Sequence, residues 1–468
     1  MTVPPDVNQD VTQDRESTRY RKIVIGSAVI YTLLLSAYVV AILWIDTARV
    51  DAPHFVRGPD SLGYEAAARN WPWESQAARA APIFPLLLRF AFNNLRAVVL
   101  LQTMAWGFAW FWLARAASMC VSRLPIRVAI LAVLLSLSLS PELLTWNSAI
   151  GSEAISVSLV IATFACTITA TRIRSPRWWV LTASLGALAT LARDTNAILG
   201  VVLIAAAIVV GVRKVEFRRS AAACALISMS AILVSSALSS MAEPPRWFYP
   251  LQENIVVRIT PRADFVKFFT DRGMPQAQEV SEMRENYFLT HLEMRENPRF
   301  APFRQWLRDN GPRVYGEFVL THLPWQTELF VSFREELLLE SVVPFGKIVD
   351  SNPGVIYRAL GRLSFWHSAT GVIAWAALAL LVLSVGRFGW RREDRLVRGV
   401  LLVGITTAIV HIYASFAADA FEIDRHAFSA TVQLRVMLWI TTLIMIDRWV
   451  VRLRLSRASS SEASNQRA

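Results

Sequence analysis

A chain of 468 residues that is 54% hydrophobic and only 18% charged leaves too few charges to cover a soluble fold of its size. Its net charge of +12 rests on arginine, because Lys22, Lys214, Lys267 and Lys347 are the only lysines, a bias that fits a GC-rich bacterial genome. The arginines fall mainly in short loops between apolar runs, so they argue against a nucleic-acid surface and read instead as signals of membrane topology.

Residues 1–18 are polar and predict a disordered cytoplasmic tail. Arg19, Arg21 and Lys22 then precede a first apolar run over 23–44, which places the N-terminus inside. That run is longer than the apolar region of a signal peptide and is expected to stay as an anchor. Further spans are predicted near 97–118, 128–144, 153–170, 178–192, 196–212, 220–240, 366–386, 399–417 and 428–446, about ten in all, against about 20 residues needed per crossing. Every second connection is basic, with Arg115, Arg123 and Arg127, then Arg172, Arg174 and Arg177, then Arg213, Lys214, Arg218 and Arg219. The alternation continues through Arg387, Arg391, Arg392 and Arg395 to Arg448, Arg452 and Arg454, so both termini are expected in the cytoplasm.

The expected architecture is an all-α polytopic membrane protein of the plasma (inner) membrane. An N-terminal module over 19–240 holds about seven spans and an exterior loop at 45–96, and a C-terminal module over 366–455 holds about three. Between them, residues 241–365 predict a helical exterior cap lying partly in the interface, and 456–468 predict a disordered, solvated cytoplasmic tail. Cys120, Cys166 and Cys224 have no metal-ligand spacing and all fall toward the cytoplasmic side, where no disulfide is expected.

The polar residues at the exterior helix ends carry the chemistry. In RGPDSLGYEAA, Asp60 follows a proline and opens a short helix with Tyr64 one turn on. Partial desolvation beside lipid makes an aspartate a stronger base, although Asp60 or Ser61 can equally serve as a helix N-cap. A proline-broken apolar stretch, RAAPIFPLLLRFAFNN, follows and is expected to lie in the interface. Glu153 opens the fourth span, either facing a cavity or simply favouring a helix N-terminus. Arg193, Asp194 and Asn196 interrupt an apolar run, and an Arg–Asp pair closing a tight turn explains them as well as a binding role does. Glu422, Arg425, His426 and Ser429 share one helix face, and Arg435 lies about two turns further in, where a cation needs a phosphate or an internal carboxylate as partner. His411, inside the ninth span, is read as a packing residue, and His54 and His322 carry no stronger signal. No His, Asp or Glu set has metal spacing, and a carboxylate-held divalent cation stays open. The chain lacks a P-loop, a dinucleotide-binding glycine motif and a nucleophile elbow.

The outward aspartate of the D-S-x-x-Y stretch, followed by A-P-x-x-P-L-L-L, resembles the GT-C superfamily of integral-membrane glycosyltransferases. The E-x-x-R-H pattern at Glu422 to His426 is similar to the ending of some bacterial members, and Glu65 is the nearest second acid to Asp60. The resemblance implies a polyprenyl-phosphate sugar donor, an envelope glycan, lipid or protein acceptor, and Asp60 as the catalytic residue. It suggests that Glu153 faces the sugar cavity. The implied mechanism is inverting, with Asp60 taking the acceptor proton while Arg425, His426 or Arg435 holds the departing phosphate. Trp71, Trp73 and Trp247 serve either to stack on sugars or as interfacial belt residues. Two other classes remain on sequence grounds: a transporter or flippase of lipid-linked saccharides, and a non-catalytic envelope assembly protein.

Overall fold

The computed structural model describes residues 35–38, 40, 59–75, 77–173, 175–213, 217–275, 280, 294, 297–339, 368–385, 390, 394–420 and 423–465. Most of the predicted first span, the exterior loop up to residue 58, His54, Glu422 and the C-terminal part of the predicted cap lie outside these residues. Among the described residues the protein is 85% helical and has no strands.

After α1 (Pro59–Ala68), the short amphipathic α2 (Ile83–Phe90) buries Phe84, Pro85 and Leu88. Phe92 and Asn93, both at positive φ, turn the chain into α3 (Leu95–Ser118). Asn94 caps that helix, its side-chain oxygen accepting from the Arg96 and Ala97 amides and so satisfying two of the four free donors of a helix start. There follow α4 (Leu124–Ser138), α5 (Glu153–Ile173), α6 (Pro176–Ala192), α7 (Ala197–Arg213) and α8 (Arg218–Met241). The cap contributes α9 (Phe248–Asn254), a π-helical turn at Ile255–Ile259, α10 (Ala263–Thr270), α11 (Ala301–Thr321), α12 (Leu323–Ser332) and α13 (Arg334–Leu338). The chain closes with α14 (Ala369–Val385), α15 (Arg395–Ala418) and α16 (Ile423–Asn465).

Among the described residues, five helices are long and apolar enough to cross a membrane: α3, α5, α8, α15 and the Arg425–Leu453 part of α16. Helices also occupy the other predicted spans after the first, but α4, α6, α7 and α14 have 15 to 17 residues each. At 1.5 Å per residue they reach only about 23–26 Å, short of the roughly 30 Å of a hydrocarbon core. The predicted third span, 128–144, is not continuous. α4 stops at Ser138, and Pro141, which cannot donate to the previous turn, starts a separate four-residue turn, Pro141–Leu144. The C-terminus departs from expectation too, since α16 runs on to Asn465. Extending a formed helix through Arg, Ala and Glu costs far less than nucleating one, so a polar composition alone does not end it.

On α16, charge sits at both ends of the apolar stretch. Along α16, Arg425 and Asp447 are 22 positions apart, about 33 Å, close to the thickness of a bilayer core. At the Asp447 end, fully buried Asp447 accepts from the Ser122 amide at 3.1 Å and the Arg123 amide at 3.3 Å, which ties the α3–α4 turn to α16. Beside it, Arg448 pairs with buried Asp394 at 3.0 Å and donates to the Cys120 carbonyl at 2.9 Å. Cys120, Cys166 and Cys224 are free and buried.

The cap has its own aromatic core, with Phe248, Phe265, Phe269, Phe300, Phe303 and Phe318 buried together. His322 stacks on Phe318 at its margin. Two contacts seat this unit on the C-terminal end of α15, whose last carbonyls have no helical partners. The Arg258 guanidinium donates to the Phe416 carbonyl at 2.5 Å and lies 4.1 Å over its ring, and the Tyr315 hydroxyl donates to Ala417 at 2.7 Å. Burial pushes the Tyr315 phenol up to about 12, so it remains a donor at neutral pH. α13 does not lie on the surface with the rest of the cap: Leu337 and Leu338 join the core of the helix bundle.

Replacing Asp447 by alanine removes the acceptor of the Ser122 and Arg123 amides and one of the two carboxylates beside Arg448, which keeps Asp394. The expected loss is about 1–3 kcal/mol, read as a lower melting temperature of the detergent-solubilised protein. A melting curve that matches the wild type would show that Asp447 holds nothing together.

Candidate functional site

At the end opposite Asp447, the start of α5, the α6–α7 junction, the C-terminal parts of α8 and α15 and the start of α16 meet α1 and the cap. Together they enclose a cavity of about 1180 Å³. Asp60, Tyr64, Glu153, Arg193, Asp194, Arg425 and His426, all picked out from sequence, border it.

Glu153 is at the centre. Its side chain is 3% exposed, and its Oε1 lies 3.4 Å from Arg193 Nη1 and 3.8 Å from Arg425 Nε. Arg425 also binds Asp60 Oδ2 through Nη1 at 2.5 Å. Arg193 donates through Nη2 to His426 Nδ1 at 3.2 Å. The other imidazole nitrogen of His426, Nε2, lies 3.0 Å from Asp419 Oδ2. The result is a continuous chain, Asp60–Arg425–Glu153–Arg193–His426–Asp419, in which Glu153 lies between two arginines and Arg425 between two carboxylates. Glu153 Oε2, in contrast, is buried with no partner among the described residues. It rests over Gly151, where a Cβ would lie only 2.4 Å away.

Neighbouring hydrogen bonds hold this chain in place. The α1 helix begins at Pro59, so Asp60 and Ser61 lie in its first turn and neither is the N-cap. Ser61 instead donates to the Ile150 carbonyl at 2.7 Å, fastening α1 beside the start of α5. Tyr64 bonds Ser152 at 3.1 Å and packs edge-on against Phe84. Burial first, then the Glu153 and Asp60 carboxylates, push the Tyr64 phenol above its ordinary value and keep it neutral. Asn196 bonds Ser156 and the Ala189 carbonyl, both at 2.8 Å, and Ser429 reaches Asn196 at 3.3 Å, which fixes the α6–α7 junction against α5 and α16.

Arg193 and Asp194 do not close a turn on each other. Arg193 turns to Glu153, whereas Asp194 accepts from Arg246 Nη1 at 2.7 and 2.9 Å and from Ser235 at 2.6 Å. Arg435 does not join the cavity residues either. Ten positions after Arg425, it lies about 15 Å further along α16 and about 80° around it. It is 1% exposed and donates to the Leu338 carbonyl at the end of α13. A helix-end carbonyl supplies the partner for which sequence suggested a phosphate or a carboxylate. Glu65 is not among the cavity residues, and His411 is buried within α15. Trp247 borders the cavity, while Trp71 and Trp73 stack on each other outside it, with Arg89 3.8 Å over Trp71.

Sequence reading missed Arg79, Arg246 and the hydroxyl wall of α8 formed by Ser235, Ser236, Ser239 and Ser240. The serine spacing marks one side of a helix, but nothing in the sequence says that this side faces a cavity. Among the described residues, no three His, Cys, Asp or Glu side chains converge to hold a metal ion.

Gly151→Ala would press a methyl group on the Glu153 carboxylate and destabilise the protein by about 1–3 kcal/mol, measured by thermal unfolding. The control is Gly63→Ala inside α1, whose Cβ meets nothing within 4 Å and which should leave the protein as stable or about 1 kcal/mol more so. Equal behaviour of the two variants would contradict the packing of Glu153 over Gly151. No family model, curated protein or solved structure matches the chain.

Proposed function

We propose that this chain is an integral-membrane glycosyltransferase of the GT-C kind, which transfers a sugar from a polyprenyl-phosphate donor to an envelope glycan, lipid or protein acceptor on the outer face of a bacterial plasma membrane. One observation carries the reading: a large cavity at one charged end of the apolar bundle gathers a half-exposed aspartate, a buried glutamate and several arginines. A membrane-borne substrate reaches such a site from the bilayer, and a water-soluble acceptor reaches it from the exposed side.

In this mechanism the acceptor hydroxyl meets Asp60, whose carboxylate is 45% exposed and oriented by Arg425 through one oxygen. As the acceptor oxygen bonds to the anomeric carbon, its proton passes to Asp60 and the sugar–phosphate bond breaks on the opposite face of the ring. The bonding pair leaves with the phosphate. That group is already a stable anion, so it needs fixed cations rather than a protonating acid. Glu153 Oε2, unpartnered at the cavity wall, accepts from a sugar hydroxyl, and Tyr64 and Trp247 offer ring surface. Arg193 and His426 keep Glu153 and Asp419 in register.

Purified protein in nanodiscs, supplied with radiolabelled polyprenyl-phosphate sugars and an envelope extract as acceptor, tests this. The wild type should transfer label. Asp60→Asn should lower transfer by about 100-fold or more while melting like the wild type. Undiminished transfer in that variant would remove Asp60 from the mechanism. Passage of intact lipid across the bilayer without transfer would replace the enzyme reading with a flippase.

A further inference from the structure

The two walls of the cavity hold their arginines differently. On the α5–α16 side, the carboxylates of Asp60, Glu153 and Asp419 stand against Arg193, Arg425 and His426. An anion brought to Arg425 there would stand next to the two carboxylates that already flank it, and like charges in so dry a place repel strongly. On the opposite side, Arg79 and Arg246 border the cavity with Asp194 and Glu253, and the ion partner of Arg246 among the described residues is Asp194. Arg246 Nε is fixed on the Ala78 carbonyl at 2.6 Å and Nη1 on Asp194, and the side chain is 9% exposed. Its Nη2 is buried without a partner among the described residues. Leaving a guanidinium N–H dry and unbonded carries a full desolvation penalty, which a ligand oxygen would relieve.

Arg79 strengthens that side. It donates through Nε and Nη2 to the Glu243 carbonyl while Arg246 donates to Ala78, so the two segments interlock and keep both guanidiniums on one border of the cavity. The negative end of the α8 dipole points toward this border, and the Arg79 contact to Glu243 offsets it. α8 is also the least enclosed of the five long apolar helices, with 28% of its most apolar stretch buried and with Leu226, Leu233 and Val234 exposed. A ligand at Arg246 is therefore one helix away from lipid.

We propose that Arg246, with Arg79, is the subsite for the phosphate of a membrane-borne ligand whose apolar tail lies along α8. The rest of the head group reaches across the cavity toward Asp60 and Glu153. This last part rests on the glycosyl-transfer reading; the phosphate subsite does not.

The test is native mass spectrometry of the full chain in phosphatidylcholine nanodiscs doped with undecaprenyl phosphate or, separately, with undecaprenol. The wild type should retain the phosphate in preference to the alcohol. Arg246→Gln and Arg79→Gln should each cut that preference by about tenfold or more, and Arg425→Gln should keep it. Arg79 is exposed, so its variant reports on binding even if Arg246→Gln proves unstable in a parallel melting assay. Unchanged retention in Arg79→Gln and a folded Arg246→Gln would overturn the proposal, as would a loss confined to Arg425→Gln. Inorganic phosphate or glucose 1-phosphate binding as tightly as the lipid would overturn its membrane-borne part. Arg246-dependent retention without any sugar transfer by the wild type would remove the transferase reading and leave the subsite standing.

Discussion

Three helix ends converge in this protein because one buried carboxylate requires it. Glu153 is nearly inaccessible to water, and an ionised carboxylate in such a place is tolerable only if cations come to it. Arg193, at the end of α6, and Arg425, at the start of α16, do so from helices far apart in sequence. Glu153 in turn gives Arg193 its carboxylate partner and Arg425 a second one beside Asp60, so the charges support one another. The rest of the charged chain extends outward from this junction, to Asp60 through Arg425 and to Asp419 through His426. Fixing these ends against one another also fixes the opening between them.

The helical architecture was legible in composition, since apolar runs flanked by arginine leave few alternatives. The cavity residues were partly legible for a related reason. Glu153, Arg193, Asp194, Arg425 and His426 are ionisable residues that interrupt or begin apolar helices at one predicted end, and such residues rarely lack a purpose. Arg79 and Arg246 escaped because they sit in irregular segments, where an arginine has no periodic context and looks like any other surface cation. Arg435 shows the converse. It lies further along α16 than the cavity residues and donates to a backbone carbonyl of α13, which no side-chain pattern advertises. Pro141 ended the third span where hydropathy alone would have carried it on.

The cap and the bundle are joined through backbone as much as through side chains. Arg258 and Tyr315 both use carbonyls at the end of α15, and Arg435 and Thr431 use carbonyls at the end of α13. Helix ends are where carbonyls remain free, so they offer docking points that do not depend on which side chains surround them. The first anchorage lies within the cavity-lining stretch of α15, between Ser415 and Ala418, and the second lies deeper along α16. They hold the cap as a roof whose inner surface, including Tyr315 and Trp247, forms part of the cavity wall.

α16 contains neither glycine nor proline from Arg425 to Asp447, and each of those residues is clamped to other helices. A rod held at both tips resists bending, so it acts as a fixed mast. Among the described residues the outer face of α8 has no such clasp, and with so little of its apolar stretch enclosed it is the side on which this chamber is most thinly screened from its surroundings.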